Sequence, residues 1–231
     1  MGKQRFGHCI GLLLWACCLW IAPACRAQVF HVSLNTASLN SLGTFYVEFQ
    51  LIDGSSTGGN GNSQAIVTNF QLTGGALGSV LDPTLGNVAG SLAGTLTLTD
   101  GPTSFGDVAD FAQAFSVTNS VSLLTFDLQL TTTGVDTPFP DKFSFLILDG
   151  SLNPLPTEGP VGVEFVSADF TSTSPTPTGY VSTGALQLGA TVTPPQSSQA
   201  IPEPGTLGLL AIGATAFPLF GALRRRRRRS V

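Results

Sequence analysis

Three aspartates crowd one stretch of this chain, Asp100, Asp107 and Asp110 in "DGPTSFGDVADF". Calcium takes several hard oxygen ligands, carboxylates among them, so this loop is the candidate calcium site. Its spacing is not that of an EF-hand, and aspartate is also a common turn former, so the preferred reading is an ordinary turn with no metal. A second chemistry open to carboxylates is glycoside hydrolysis, with Glu48, Glu158 and Glu164 as candidates. That reaction depends on a distance between two carboxyl groups that sequence does not supply. Sugar clefts also rely on flat amphipathic rings, yet from Gln28 to Ala200 there is no tryptophan and only two tyrosines, Tyr46 and Tyr180.

Nucleophilic and metal chemistry of other kinds finds little support. All four cysteines, Cys9, Cys17, Cys18 and Cys25, lie in the first 25 residues, as do both tryptophans and His8. Beyond Cys25 the chain has no thiol, no disulfide and a single histidine, His31. A serine nucleophile is poorly supported because the lone base candidate, His31, sits near the start of the body, and one imidazole makes a poor zinc or copper site. No phosphate-cradling glycine loop or other cofactor motif is visible. The expectation is a protein that is not an enzyme and has no cofactor.

The elements that would hold these residues are strands. In "FYVEFQLID" Phe45, Val47, Phe49 and Leu51 share one face while Glu48 and Gln50 take the other. The same period-two pattern places Ile66, Phe70 and Leu72 together in "IVTNFQL" and Leu92, Leu96 and Leu98 in "SLAGTLTLTD". It recurs with Leu124, Phe126, Leu128 and Leu130 in "LLTFDLQL", and with Phe143, Phe145 and Ile147 in "DKFSFLILD". "VFHVSLN", "FAQAFSV", "VEFVSADF" and "ALQLGATV" complete the set. Alternation sets His31 opposite Phe30 and Val32, as a solvent-facing strand residue. Three strands end in Asp-Gly, at Asp53-Gly54, Asp100-Gly101 and Asp149-Gly150, where aspartate caps a turn and glycine supplies a positive φ. Eight or nine short strands, with thirteen phenylalanines between Gln28 and Ala200 to fill a core, predict an all-β fold. The architecture expected is an antiparallel β-sandwich, jelly-roll-like.

Charge narrows the partners. Between Gln28 and Ala200 thirteen acids face one base, Lys142, a net charge of −12 that the basic C-terminus masks in the whole-chain value of −4. Such a body repels nucleic acid and favours cations or neutral partners.

The two ends carry addresses. Lys3 and Arg5 precede an apolar run from Ile10 to Ala22, with Pro23 and small residues leading up to Ala27. This pattern is a signal peptide cleaved between Ala27 and Gln28. An uncleaved anchor would need a run nearer 20 residues, and a lipoprotein acylated at Cys25 would need a better lipobox than Ile21-Ala22-Pro23-Ala24. At the other end, Leu207 to Leu223 are uncharged and, with Gly205 and Thr206, long enough to cross a bilayer as a helix. Arg224, Arg225, Arg226, Arg227, Arg228 and Arg229 come next, and by the positive-inside rule they stay cytoplasmic. The organisation expected is a signal-peptide helix at 1–27, a β-sandwich ectodomain at 28–193 and a Pro/Ser-rich linker at 194–204. A transmembrane helix at 205–223 and a cytoplasmic arginine tail at 224–231 complete it.

Pro202, Glu203 and Pro204, then the apolar run, then the arginine block resemble the PEP-CTERM sorting signal. The resemblance implies export in a Gram-negative bacterium and transient retention by the C-terminal helix. It implies next a recognition by exosortase, a membrane-embedded cysteine-dependent transpeptidase, with cleavage near Pro-Glu-Pro. It further implies a protein of the cell surface or extracellular matrix, associated with exopolysaccharide and biofilm, in which Pro202, Glu203 and Pro204 are recognised and catalyse nothing. The body also resembles a family of PEP-CTERM β-proteins opening with a similar "FHVSLNT" strand. The alternative is a polysaccharide- or calcium-binding module on the same scaffold, simply anchored in the membrane by the tail.

Overall fold

The computed structural model describes residues 28–54, 60–82, 84–101 and 107–194. The expected signal-peptide helix, the Pro-Glu-Pro motif, the C-terminal helix and the arginine block lie outside these residues. The chain divides into a unit Met1–Thr193 and a unit Pro194–Val231. Among the described residues there is no α-helix, and no helix long and apolar enough to cross a membrane.

Among the same residues the strands are β1 (Val29–Asn35), β2 (Thr44–Ile52), β3 (Ser63–Thr73), β4 (Gly75–Val80), β5 (Asn87–Gly90) and β6 (Leu96–Thr99). They continue with β7 (Val108–Val117), β8 (Leu123–Thr132), β9 (Lys142–Leu148), β10 (Val166–Asp169), β11 (Thr178–Gly179) and β12 (Ala190–Thr193), with a short 3₁₀ turn at Ala37–Leu39. They form two six-stranded sheets, ordered β12-β1-β8-β3-β6-β5 and β11-β10-β9-β2-β7-β4, and every pairing is antiparallel. The first four strands alternate between the sheets, so the chain crosses the core repeatedly.

Alternation fills that core as the sequence predicts. Phe45, Val47, Phe49 and Leu51 of β2 are buried, as are Leu124, Phe126, Leu128 and Leu130 of β8. Phe126 of the first sheet meets Phe49 (5.3 Å, edge-on) and Phe145 (5.1 Å, edge-on) of the second. Such tilted ring contacts exploit the aromatic quadrupole and add to the area term, and each fully buried phenylalanine contributes roughly 1.5–3 kcal/mol. On β9 both faces are buried, including Ser144, Leu146 and Leu148 as well as the expected Phe143, Phe145 and Ile147.

The strands without a sequence signal are β4, β5 and β11, and all three are sheet edges. An edge strand that buries no side-chain face shows no period of two, and β4 is exposed along nearly its whole length.

Two expectations are corrected. Ile66 does not share a face with Phe70 and Leu72; Ala65 and Val67 are buried instead. A bulge between Thr68 and Gln71, with Asn69 at φ 52°, inserts one residue and exchanges the two faces of β3 midway. Nor do the glycines of the three Asp-Gly pairs supply positive φ, since Gly54, Gly101 and Gly150 all lie outside the left-handed region. At Gly54 the requirement is space: a Cβ there would collide with the backbone carbonyl oxygens of Phe139 and Pro140. At Asp149-Gly150 the positive φ is carried by Leu152 (64°).

Candidate functional site

Asp53 directly follows β2, Asp100 directly follows β6, and Asp141 directly precedes β9. Register puts these strand ends together, because Ile52 lies opposite Lys142, Gln64 opposite Thr99 and Ser63 opposite Thr132. With Asp136 of the β8–β9 loop, the four aspartates bring one carboxylate oxygen each to within 4.8 Å of one another. Asp53 and Asp141 adjoin strands of one sheet, and Asp100 a strand of the other. Asp53, Asp100 and Asp141 are buried, at 6%, 3% and 1% exposure.

Neutral donors bind several of the carboxylate oxygens. The Ser63 N–H donates to Asp100 Oδ1 (2.9 Å) and the Gly54 N–H to Asp141 Oδ1 (2.9 Å). Asn60 Nδ2 donates to Asp136 Oδ1 (2.9 Å) and Asn62 Nδ2 to Asp136 Oδ2 (3.0 Å). Asp100 Oδ2 and Asp141 Oδ2 are buried and accept no hydrogen bond. Among the described residues no base neutralises the cluster: the one lysine of the body, Lys142, points its ammonium at Glu164 Oε1 (2.5 Å). Burial pushes the Asp100 carboxyl up to about 7 against the lowering bond from Ser63, with the charges of Asp141 and Asp53 adding to the rise. Asp141 is raised too, first by burial.

The aspartates singled out in the sequence are thereby separated. Asp100 joins Asp53, Asp136 and Asp141. Asp107 is exposed and offers its backbone carbonyl to the Asp53 N–H (2.7 Å). Asp110 lies on the outer face of β7, against Glu48 of β2. The identical Asp-Gly dipeptides also part company: Asp149 Oδ1 accepts from the Ser151 and Asn153 N–H groups (2.8 and 2.9 Å) and is a turn cap.

The remaining acids occupy separate places. Glu48 is pushed up to about 7, first by burial and then by Asp110 beside it, while Gln50 Nε2 donates to its Oε1 (3.1 Å). Glu164 accepts from Ser144 Oγ (3.1 Å) and Lys142, and Glu158 is exposed. His31 is exposed as expected and meets Asp127 Oδ1 through Nδ1 (2.8 Å), while Asn69 Nδ2 donates to Asp127 Oδ2 (2.7 Å). Beside β10 and β11 a hollow of about 300 Å³ is lined by Ser167, Asp169, Ser172, Thr176 and Tyr180, among others.

These features define an acidic, all-β domain with a cluster of four aspartates, three of them buried, at one end of its sheets. The comparisons speak to the other part of the chain: residues 200–228 match the family model of the PEP-CTERM protein-sorting motif. That span holds Pro202, Glu203, Pro204, the apolar run and Arg224 to Arg228. No curated protein and no solved structure matches the chain. The likeness of the body to a β-protein family therefore rests on its "FHVSLNT" strand alone.

Proposed function

We propose that this is an exported, non-catalytic surface or matrix protein of a Gram-negative bacterium, sorted through its C-terminal tail by exosortase. The observation that carries the reading is the sorting-motif match at 200–228, in a chain that also opens with a signal-peptide pattern. In this reading the signal peptide is removed between Ala27 and Gln28 and the helix at 205–223 holds the protein in the membrane. The arginines Arg224 to Arg229 remain cytoplasmic, and Pro202, Glu203 and Pro204 are presented to the enzyme. Two prolines flanking a glutamate keep that segment extended, as a protease-like cleft requires. The two sheets are read as a jelly-roll-like sandwich displayed outside, whose acidity suits a hydrated matrix of exopolysaccharide and disfavours nucleic acid. A second reading, a saccharide-binding module merely anchored by the tail, has the Ser/Thr-lined hollow at Tyr180 in its favour.

The test replaces Pro202, Glu203 and Pro204 by alanine and tracks protein size and membrane fraction in hosts with and without exosortase. Wild type should be processed only where the enzyme is present. The alanine variant should accumulate full-length in the membrane of both hosts. If wild type is equally long and equally membrane-bound in both, the tail is an anchor and nothing more.

A further inference from the structure

We infer that Asp53, Asp100, Asp136 and Asp141 form a calcium site that fastens three loops at one end of the body. The first support is the donor set, four carboxylates with no nitrogen or sulfur ligand among them, which selects a hard cation over zinc or copper. The second is independent of acidity. The oxygens Asp100 Oδ2 and Asp141 Oδ2 are buried, belong to side chains 97–99% removed from solvent, and accept no hydrogen bond. A buried acceptor left without a donor is costly, and more so when charged. Here the second oxygen of each carboxylate is already fixed by a backbone N–H, from Ser63 or Gly54, so the carboxylates cannot turn away. Asp136 differs in that both its oxygens accept a bond, from Asn60 and Asn62, which fixes its carboxylate plane and leaves each oxygen a further lone pair. Orienting bonds behind the ligand oxygens are the usual outer layer of a metal site.

Ligand chemistry favours calcium over magnesium. Calcium accepts several carboxylates in flexible geometry, whereas magnesium demands near-ideal octahedral geometry and keeps most of its waters, so it is rarely held by an all-carboxylate set. Four carboxylates that each bring an oxygen within 4.8 Å of the others are of the first kind and suit calcium. Waters and backbone carbonyls would complete its coordination, as calcium commonly allows. The ion would join the β2–β3, β6–β7 and β8–β9 loops, and through them strands of both sheets.

The full-length protein, purified in detergent, is titrated with calcium chloride by calorimetry, and its melting temperature is measured in chelator, calcium or magnesium. The expected result is one saturable site per chain and a melting temperature several degrees higher in millimolar calcium than in chelator, with a smaller response to magnesium. Asp141→Asn and Asp100→Asn should each abolish the calcium increment. In chelator both should melt at or above the wild-type temperature, because each removes a buried repelling charge; a variant that merely failed to fold would melt lower. Asp107→Asn and Asp110→Asn should keep the full increment. The inference is overturned if calcium raises the wild-type melting temperature no more than magnesium does, or if Asp141→Asn retains the increment. It does not depend on sorting: the alanine variant of Pro202, Glu203 and Pro204 should bind calcium as wild type does.

Discussion

At the level of single residues, the outer face of the second sheet carries a carboxyl pair, Glu48 and Asp110, that burial holds against ionisation. Glu48 is held at about 7 instead of its ordinary 4.5, because burial and the neighbouring Asp110 both oppose its charge. A folded-state pKa above the unfolded one means that the favourable contribution is complete below about 4.5 and is lost as pH rises through about 7. Glu48→Gln removes this dependence and leaves the aspartate cluster untouched. The melting temperature of wild type should therefore fall relative to Glu48→Gln as pH is raised from about 5 to about 8; a constant difference across that range would refute the pair's role. Residue chemistry was only partly legible in the sequence. Asp53-Gly54, Asp100-Gly101 and Asp149-Gly150 read alike, yet two of them enter the cluster and one caps a turn. The distinction lies in strand register across residues 53 to 141, and no local pattern encodes it. Sequence proximity pointed to Asp107 and Asp110, which the strand ends carry elsewhere.

Among the elements, β3 shows how one residue redirects a whole strand. Asn69 adopts a left-handed conformation that asparagine tolerates better than other non-glycine residues, and it anchors itself through Asp127. Asn69→Ala should destabilise the protein by about 1–2 kcal/mol, the cost of a left-handed non-glycine residue, while Asn69→Gly should retain most of the stability. Denaturant unfolding measures both, and equal losses would show that backbone conformation is not what Asn69 supplies. The bulge also explains the one strand whose faces were misassigned: a strict period of two cannot survive an inserted residue. Strands with a buried face, such as β1, β2 and β8, were legible because burial writes the alternation into them. The edges β4, β5 and β11 bury too little to leave that mark.

For the molecule as a whole, closure of the first sheet depends on its last strand. β12 pairs with β1, Thr193 opposite His31 and Ala190 opposite Leu34, joining the two ends of the body. A chain ending at Thr193 should melt as the full chain does. A chain ending at Gly189 loses β12 and bares the open edge of β1, which invites pairing between molecules. It should melt lower and aggregate, as calorimetry and light scattering would register; unchanged behaviour would mean that β12 is dispensable. Composition turns Pro/Ser-rich after Thr193, where β12 ends. The partnership of β12 with β1 could not be read from the sequence, because it spans nearly the entire body.

The pairing of first and last strands bears on how such a chain can be exported. In the proposed pathway the newly translocated protein is moored at both ends, by the signal peptide before Gln28 and by the tail after the linker. A cord fixed at both ends folds into a compact body most readily when its ends finish side by side. Here they do, on adjacent strands that lie about 5 Å apart in a sheet. On that pathway folding would wait on neither cleavage.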